Sequence, residues 1–503
     1  MSSIEKPAPA LSPERLKLLE LLLKEKRGRQ NGASQIVAIS GERKGFPLSS
    51  AQRRFWLLNR FAPAQGGYTV DKAVRVKGPL QVWALEKAFT EIQRRHESLR
   101  TTFELRDDDL CQIIHAPGEI RLHVEDLRQL CQSEQEEKIR STAEAETFAP
   151  FDLTTGPLLR VRLLCVADDE HILLLAMHHI ICDGWSIAIL LNELGTLYEA
   201  FSSGRPSPLP ELAIQYADFA VWQSQYLRGE EAKRQRSYWM RQLQGMPPSL
   251  SLRTDRPRSS IRSQRGEMES IVLPANISST ARSLARKYEA TLSMVLLSAF
   301  NLLLFRYTHQ QDFAVGSPIA NRRRSETEEL IGVFINTLVF RARLASHLRV
   351  HDLITQVRGT SLEAYANQDL PFEELVEDLN PERGLNEQPL FQVMFILRNE
   401  PAGAIKLPNL ELTPLAHTNL SSPLDLDLSV HEIGDELSCW MLYDADLFDR
   451  SSIQQMLRHF RNIVVSMVRD NDQSIGALDF LEAEEREQIL HAFNQTKAGF
   501  SED

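Results

Sequence analysis

Two consecutive apolar runs, Leu158 to Val166 and His171 to Met177, constrain the fold of this chain more than any other feature. The residues between them read ADDE, which suits a turn, so the pair predicts a β-hairpin. Because both runs are almost wholly apolar, we expect strands that are covered on both faces. A loop at His178 to Trp185 and a helical pattern at Ser186 to Phe201 follow. The segment therefore predicts a sheet layered with helices.

Similar mixtures of helical and strand patterns recur along the rest of the chain. Helices are predicted at Trp83–Ile92, Thr291–Tyr307, Val350–Ala366 and Ser451–Val468, and strands at Phe313–Pro318, Phe334–Leu344, Phe391–Leu397, Leu424–Val430 and Leu437–Tyr443. The proline-containing stretch Gly245 to Ser263 is typical of a crossover between domains. The fold class predicted is α/β (α+β), in two halves of roughly 200 residues with a cleft between them.

The chain ends add two further segments to this division. Leu11 to Arg27 reads as a short amphipathic helix, and a polar tether follows it. We therefore predict an N-terminal helix with a linker or docking segment at 1–45, lobes at 46–245 and 246–475, and a linker at 476–503. The alternative interpretation of the first segment is a frayed leader helix.

Composition excludes several classes of protein. Lys and Arg number 57 against 68 Asp and Glu, giving a net charge of −11, which argues against a nucleic-acid partner. No apolar run approaches the roughly 20 residues that span a bilayer, and the N-terminus lacks an apolar signal core. The five cysteines are scattered, without a CxxC pair. A cytoplasmic protein without a membrane partner is predicted.

The segment His178-His179-Ile180-Ile181-Cys182-Asp183-Gly184 carries the candidate chemistry. Imidazole takes up and returns a proton near neutral pH, so a histidine at a strand end suits proton transfer. On a continuing strand the two rings point to opposite faces, so only one faces a given cleft. Asp183 either orients a histidine or pairs with a cation. Gly184 permits an unusual backbone conformation and close approach of a substrate.

Other chemistries receive weaker support. A metal site or a satisfied loop is the alternative interpretation of the histidine pair, but no third ligand cluster for zinc lies near in sequence. The chain lacks GxSxG, a P-loop and GxGxxG at a strand–helix turn. Cys182, beside the histidines, invites a nucleophile interpretation, which we reject as incidental.

This histidine segment resembles the core motif, HHxxxDG, of condensation domains of nonribosomal peptide synthetases. Six further stretches resemble the other motifs of that family, in the family's order. They are Leu48–Trp56, Arg95–Phe103, Tyr216–Trp222, Ile331–Thr337 with Arg341, Asn367–Glu373 and Pro389–Phe395. Together the seven motifs cover about Phe46 to Asp470.

The resemblance implies two lobes similar to chloramphenicol acetyltransferase, arranged as a V-shaped pseudo-dimer with a central tunnel. It also implies amide formation between a carrier-bound acyl or peptidyl thioester and the amine of a carrier-bound aminoacyl group. Partners would be upstream donor and downstream acceptor peptidyl carrier proteins and an adenylation domain. Substrates would arrive on phosphopantetheine arms, and the domain itself would bind no cofactor and no metal.

The resemblance also implies roles for single residues. His179 faces the tunnel and serves as base or amine-positioning group, while His178 is mainly structural. A backbone N–H near Gly184 is a candidate donor to the oxyanion. Asp183 makes a structural ion pair with an arginine of the second lobe. Arg322 is the first choice for that arginine and Arg323 the second. The residues assigned to structural support of the site are Arg322, Arg100, Trp185, Ser186 and Asn336.

The residues Asp183 to Ser186 match the subtype that accepts an L-configured donor. Heterocyclisation relatives replace the histidine pair and are rejected. An epimerisation relative and a non-catalytic, partner-recruiting member remain alternatives, as does an acyltransferase that uses coenzyme A. Asn494-Gln495-Thr496 resembles the linker that leads into an adenylation domain, which favours condensation.

Overall fold

The computed structural model describes residues 35–40, 44–61, 68–259, 263, 265–379, 389–398, 409–415, 420–488 and 490. The helix predicted at Leu11 to Arg27 and the Asn494-Gln495-Thr496 motif lie outside the described residues.

The described chain contains both strands and helices along its whole length. The strands are β1 (Lys44–Pro47), β2 (Thr69–Lys77), β3 (Thr101–Arg106), β4 (Asp109–Ile114), β5 (His123–Asp126), β6 (Leu159–Ala167), β7 (Glu170–His178), β8 (Arg265–Leu273), β9 (Asp312–Ile319), β10 (Asn336–Arg343), β11 (Val393–Arg398), β12 (Glu411–Pro414), β13 (Leu420–Ser421), β14 (Leu426–Ile433) and β15 (Glu436–Asp444). The helices are α1 (Ser50–Phe61), α2 (Val82–Arg95), α3 (Gln132–Phe148), α4 (Gly184–Ser202), α5 (Tyr216–Tyr226), α6 (Glu230–Leu243), α7 (Ala275–Lys287), α8 (Leu292–Thr308), α9 (Ser325–Glu328), α10 (Val350–Ala366), α11 (Phe372–Leu379), α12 (Arg450–Arg469) and α13 (Ala483–Glu487).

The hairpin β6–β7 is present and antiparallel, which confirms that prediction. It lies inside a five-stranded sheet of order β12–β2–β7–β6–β5. Strand β7 is buried from His171 to His178, as expected, because β2 and β6 flank it and helices cover its faces. The expectation of full burial is wrong for β6, where Arg160, Arg162 and several neighbours are half-buried. These arginines pair with Glu146 on α3, so this face of β6 is covered by charged side chains.

The second half forms a seven-stranded sheet of order β10–β9–β11–β14–β15–β8–β13. Helices α7, α8, α10 and α12 pack on one of its faces. As predicted, α8 is buried on nearly all sides, from Met294 to Phe305. Thr291 begins this helix, since its side-chain oxygen accepts the N–H of Met294 at 3.3 Å. The predicted α/β class is confirmed: each half mixes sheet and helix around a large core, and the first half also contains a three-stranded sheet of order β1–β4–β3.

Two short segments of the second half belong structurally to the first half. Strand β12 pairs antiparallel with β2, and Leu330, Ile331, Val333 and Phe334 lie in the core of the first half. The strand predicted to start at Phe334 therefore begins at Asn336. The predicted lobe boundary near residue 245 stays a prediction, and these two segments lie across it.

No single helix among the described residues is long and apolar enough to cross a membrane. Only α7 and α8 taken together meet that test, and the chain bends by 103° between them.

Candidate active site

The candidate site lies where β7 ends and α4 begins. One 3-10 turn, His179–Ile181, joins the strand to Asp183, which caps the helix. The Asp183 carboxylate accepts the Ser186 N–H at 2.8 Å, and an aspartate at this position satisfies a helix N–H that would otherwise lack a partner. The local sequence thus builds a short, rigid loop directly after the buried strand.

His179 is held by its backbone and by one ring nitrogen. Its N–H donates to the Tyr68 carbonyl at 2.7 Å, and its Nδ1 lies 2.8 Å from the Cys182 carbonyl oxygen. Because a carbonyl only accepts, Nδ1 carries the proton and Nε2 keeps its lone pair. Burial lowers the pKa of His179, although Asp183 and the Cys182 carbonyl act in the opposite direction. The imidazole is therefore neutral at pH 7 and able to accept a proton at Nε2.

His178 has the opposite arrangement of its ring nitrogens. Its Nδ1 accepts the Ile180 N–H at 3.0 Å, so the proton lies on Nε2. Nε2 is buried, and the described residues offer it no hydrogen-bond partner. The ring edge meets Phe151 at a centroid distance of 5.9 Å, and burial lowers the pKa of His178 to about 3. This ring is enclosed and bonded to its own loop, as a structural histidine would be.

Asp183 and Arg322 form an ion pair between the two halves of the chain. The Arg322 guanidinium lies 3.1 Å from Asp183 Oδ1, and the side chains of Asp183 and Arg322 are only 3% and 2% exposed, respectively. The other carboxylate oxygen accepts the Phe334 N–H at 3.0 Å. Arg322 also donates to the carbonyls of Thr327 and Leu330. The structure thus joins Asp183 with the first-choice arginine.

Arg323, the second choice, has a different neighbour. It pairs with Asp369 at 3.2 Å, and its side chain is 47% exposed. It is a surface cation rather than a partner of the histidine loop.

Ser186 and Trp185, which follow Asp183, have different places in the structure. Ser186 Oγ lies 2.7 Å from Asp183 Oδ1 and accepts the Gly332 N–H at 3.1 Å, so it links the two halves. Trp185 is exposed, and its indole N–H donates to the Glu328 carbonyl at 3.1 Å.

Gly184 does not adopt the special backbone conformation expected of it. Its φ lies outside the left-handed region, because Gly184 is the first residue of an ordinary helix, and an added Cβ would meet nothing within 4 Å. That part of the prediction is wrong. Close approach of a substrate and donation from a nearby N–H stay predictions for this position.

The two remaining support residues, Asn336 and Arg100, form hydrogen bonds with residues outside the histidine loop. Asn336 donates to the carbonyls of Gln368 and Leu370, both at 2.9 Å, and so holds the 367–372 turn. Arg100 contacts the carbonyl of His115 and lies 3.6 Å from Glu97. These contacts anchor Arg100 within its own motif, to a neighbouring acid and to the end of β4.

Sequence reasoning missed two neighbours of His179. Phe55, which belongs to the Leu48–Trp56 motif, lies flat against the His179 ring at a centroid distance of 4.8 Å and an interplanar angle of 9°. Tyr68 contributes a backbone carbonyl, which no sequence pattern could reveal. The only available signal was Phe55's place in the first motif.

The surroundings of Cys182 disfavour a nucleophilic role, and the described side chains form no metal-ligand cluster. The Cys182 thiol is buried, and burial raises its pKa well above the usual range, which disfavours a nucleophilic thiolate. Within the described ranges no three His, Cys, Asp or Glu side chains cluster as metal ligands would.

Comparison with known proteins places these residues in a family context. The family model described as "Condensation domain" matches residues 42–490. The chain is 43% identical to each of two linear gramicidin synthase subunits of Brevibacillus parabrevis, over 91% of its length for one and 96% for the other. Chondramide synthase of Chondromyces crocatus is 39% identical over 90%. The chain spans only 6%, 10% and 12% of these three relatives, respectively.

Solved structures agree in fold. The X-domain in its complex with OxyB from teicoplanin biosynthesis matches with a TM-score of 0.83 and 27% identity, over 90% of this chain and 99% of that one. A condensation domain from a monacolin K polyketide synthase matches with a TM-score of 0.74 and 20% identity, over 86% and 98%. These likenesses confirm the expected two-lobed fold class.

Proposed function

The chain belongs to the condensation domain family of nonribosomal peptide synthetases, and on that premise we propose that it forms an amide bond between two carrier-bound substrates. The donor is an acyl or peptidyl thioester, and the acceptor is the amine of an aminoacyl thioester. The new C–N bond forms as the C–S bond of the donor breaks. The amine loses one proton, and the thiolate of the donor arm leaves and takes up a proton.

One observation carries this proposal: a neutral imidazole with its Nε2 lone pair available. In His179 the protonated Nδ1 donates to the Cys182 carbonyl, so Nε2 is the ring nitrogen that can accept a hydrogen bond from the amine. A base with a lowered pKa is unprotonated at neutral pH and can position the amine or take its proton. Since thioester and amine are already reactive, holding them together supplies much of the remaining rate.

The Asp183–Arg322 pair supports the site without entering the chemistry. Asp183 caps α4 and accepts bonds from both halves of the chain, so it fixes the loop that carries His179. A buried ion pair whose carboxylate also accepts backbone N–H groups from both halves holds a loop in one conformation. We assign Asp183 and Arg322 this structural role.

Partners and location form part of the same proposal. Donor and acceptor carrier proteins would bring the substrates on phosphopantetheine arms, and an adenylation domain would act next to this domain. The residues Asp183 to Ser186 support an L-configured donor. The five cysteines are free thiols, which suits a reducing cytoplasm.

The test is single-turnover condensation with two loaded carrier proteins, screened over a panel of amino acids. We expect product from the intact chain and a loss of about 100-fold or more in His179→Ala, because a general base typically contributes that much. The exposed His347→Ala is the matched control and should react like the intact chain. A folded His179→Ala variant of full activity would remove His179 from the chemistry.

A second candidate function is recruitment of a partner protein without catalysis. The structural similarity to an X-domain that was solved in complex with OxyB favours it. A recruiting member would usually have lost the histidine motif, which this chain retains. The two functions separate in the same assay: a recruiting domain would bind its partner and form no amide with any carrier pair.

A further inference from the structure

The helix that carries the first motif brings an aromatic ring against the candidate base. Phe55, on α1, stacks on His179 with the two rings nearly parallel. The Asp183–Arg322 pair holds the loop that carries His179, and the stacking on Phe55 is a separate restraint on the ring itself. We propose that Phe55 is a positioning residue, which holds the His179 imidazole in the orientation that presents Nε2 to the acceptor amine.

A histidine ring needs two restraints to present one nitrogen in one direction. The bond from Nδ1 to the Cys182 carbonyl fixes one corner of the ring. The ring can still tilt about that bond, because one hydrogen bond does not define a plane. A flat aromatic face at 4.8 Å removes this remaining freedom, so Nε2 is defined in both direction and plane.

The same surroundings hold the backbone of His179. Phe55 meets the edge of Tyr68 at 5.6 Å and 70°, and the Tyr68 carbonyl accepts the His179 N–H at 2.7 Å. Phe55 and Tyr68 therefore contact each other and contact His179 at two different places. Ring and backbone are restrained by one connected cluster.

Helix α1 is itself anchored at its start, which makes Phe55 a rigid support. Ser49 Oγ lies 2.7 Å from Tyr216 Oη, and the Ser50 N–H donates to Gln223 at 2.9 Å. Gln52 donates to Gln112 at 3.0 Å. Since these bonds lie within two turns of Phe55, the aromatic ring has little freedom to follow a moving histidine.

The surroundings of the His179 ring also favour its uncharged form. Arg54, next to Phe55, lies 3.3 Å from Glu373 of the second half, and its positive charge also lowers the pKa of His179. Burial by apolar neighbours, with Phe55 among them, is the main cause of the lowered pKa of His179. The stacked ring thus favours the uncharged imidazole that the proposed reaction needs.

This inference rests on the proposed function for its effect on rate, but its structural part can be tested separately. The variants are Phe55→Leu, which removes the flat ring, and Phe55→Tyr, which keeps it. Phe89→Leu is the matched control, because Phe89 is fully buried in the same core and belongs to α2. Phe55→Leu and Phe89→Leu each remove a buried aromatic ring, but only Phe55→Leu removes the contact with His179.

The first measurement is the long-range ¹H–¹⁵N spectrum of histidine-labelled protein, assigned by difference with His179→Gln. We expect a protonated Nδ1 and a bare Nε2 for His179 in the intact chain, in Phe55→Tyr and in Phe89→Leu. In Phe55→Leu the two nitrogen shifts should move toward each other, because a ring that tilts freely loses its fixed bond to the Cys182 carbonyl and exchanges the proton between Nδ1 and Nε2. Unchanged His179 shifts in folded Phe55→Leu would overturn the proposal.

The second measurement is single-turnover condensation with the carrier pair that the intact chain accepts. Phe55→Leu should lower the maximal rate about tenfold and leave the acceptor concentration for half-maximal rate unchanged, since misorientation affects the reacting geometry rather than binding. Phe55→Tyr should restore the rate. An equal loss in Phe89→Leu would assign the effect to core packing. If the intact chain forms no amide, the proposed function fails, while the nitrogen shifts still decide the role of Phe55.

Discussion

His178 and His179 are adjacent in the chain yet carry their protons on different ring nitrogens. A backbone N–H faces Nδ1 of His178, and a backbone carbonyl faces Nδ1 of His179. One short turn supplies both partners, since Ile180 and Cys182 belong to the same loop. The residue type alone does not decide which ring nitrogen carries the proton, because the nearest backbone group decides it.

At the residue scale, His178 should make stability depend on pH. Its pKa is about 3 in the folded chain and near 6.5 when unfolded. The unfolded state therefore binds the extra proton between these values, and stability present above pH 6.5 is lost as pH falls toward 3. Between pH 7 and pH 5.5 we expect this histidine alone to cost about 1 kcal/mol.

The variant His178→Asn tests this expectation, because its amide oxygen can replace Nδ1 as acceptor of the Ile180 N–H. Free energies of unfolding in urea, measured at pH 7 and pH 5.5, should fall less in the variant than in the intact chain. His347→Asn, at an exposed position, should leave the difference between the two pH values unchanged. Equal pH dependence in intact chain and His178→Asn would contradict the assignment.

At the element scale, the segment 330–334 shows how one half enters the core of the other. Gly332 permits this, since a Cβ there would overlap the Tyr216 ring. The Tyr216 hydroxyl donates to the Val333 carbonyl at 2.7 Å, so the ring cannot simply move away. Close packing and one hydrogen bond together require a glycine at this position.

Gly332→Ala should therefore destabilise the protein by about 1–3 kcal/mol, the usual cost of forcing an extra methyl group into a packed core. Gly359→Ala is the matched control, because Gly359 lies within α10 and an added Cβ meets nothing within 4 Å. That control should gain up to about 1 kcal/mol from helix propensity. Thermal or urea unfolding measures both, and a neutral Gly332→Ala would show that the Tyr216 contact is not tight.

At the scale of the whole molecule, the two halves share core residues as well as an interface. The core of the first half contains Leu330, Ile331, Val333, Phe334 and Leu410 from the second. Burying each such side chain contributes about 1.5–3 kcal/mol. Together they approach the net stability of about 5–15 kcal/mol that a whole domain has.

We therefore expect residues 1–245, expressed alone, to lack a cooperative unfolding transition. Near-ultraviolet circular dichroism and urea titration measure this directly. Co-expression with residues 246–503 should restore a folded complex, because the missing core residues and β12 return with that fragment. A first fragment that unfolds cooperatively by itself, as stably as the intact chain, would show that the shared residues are dispensable.

Local patterns determined much of this protein. Apolar periodicity predicted the β6–β7 hairpin and helices such as α8 and α10, because helix and strand each bury one repeating face. The motif at His178 to Gly184 identified the loop, and the resemblance of seven motifs identified the family. These features depend on neighbours in the chain, which a sequence displays directly.

Only the tertiary structure decided the rest, because the deciding contacts join residues far apart in the chain. It brought Arg322 rather than Arg323 to Asp183, and it placed Phe55 flat against His179. It also transferred β12 to the first sheet, where it completes the edge at β2. Which side chain meets which backbone group across more than a hundred residues follows from packing, and no local pattern records it.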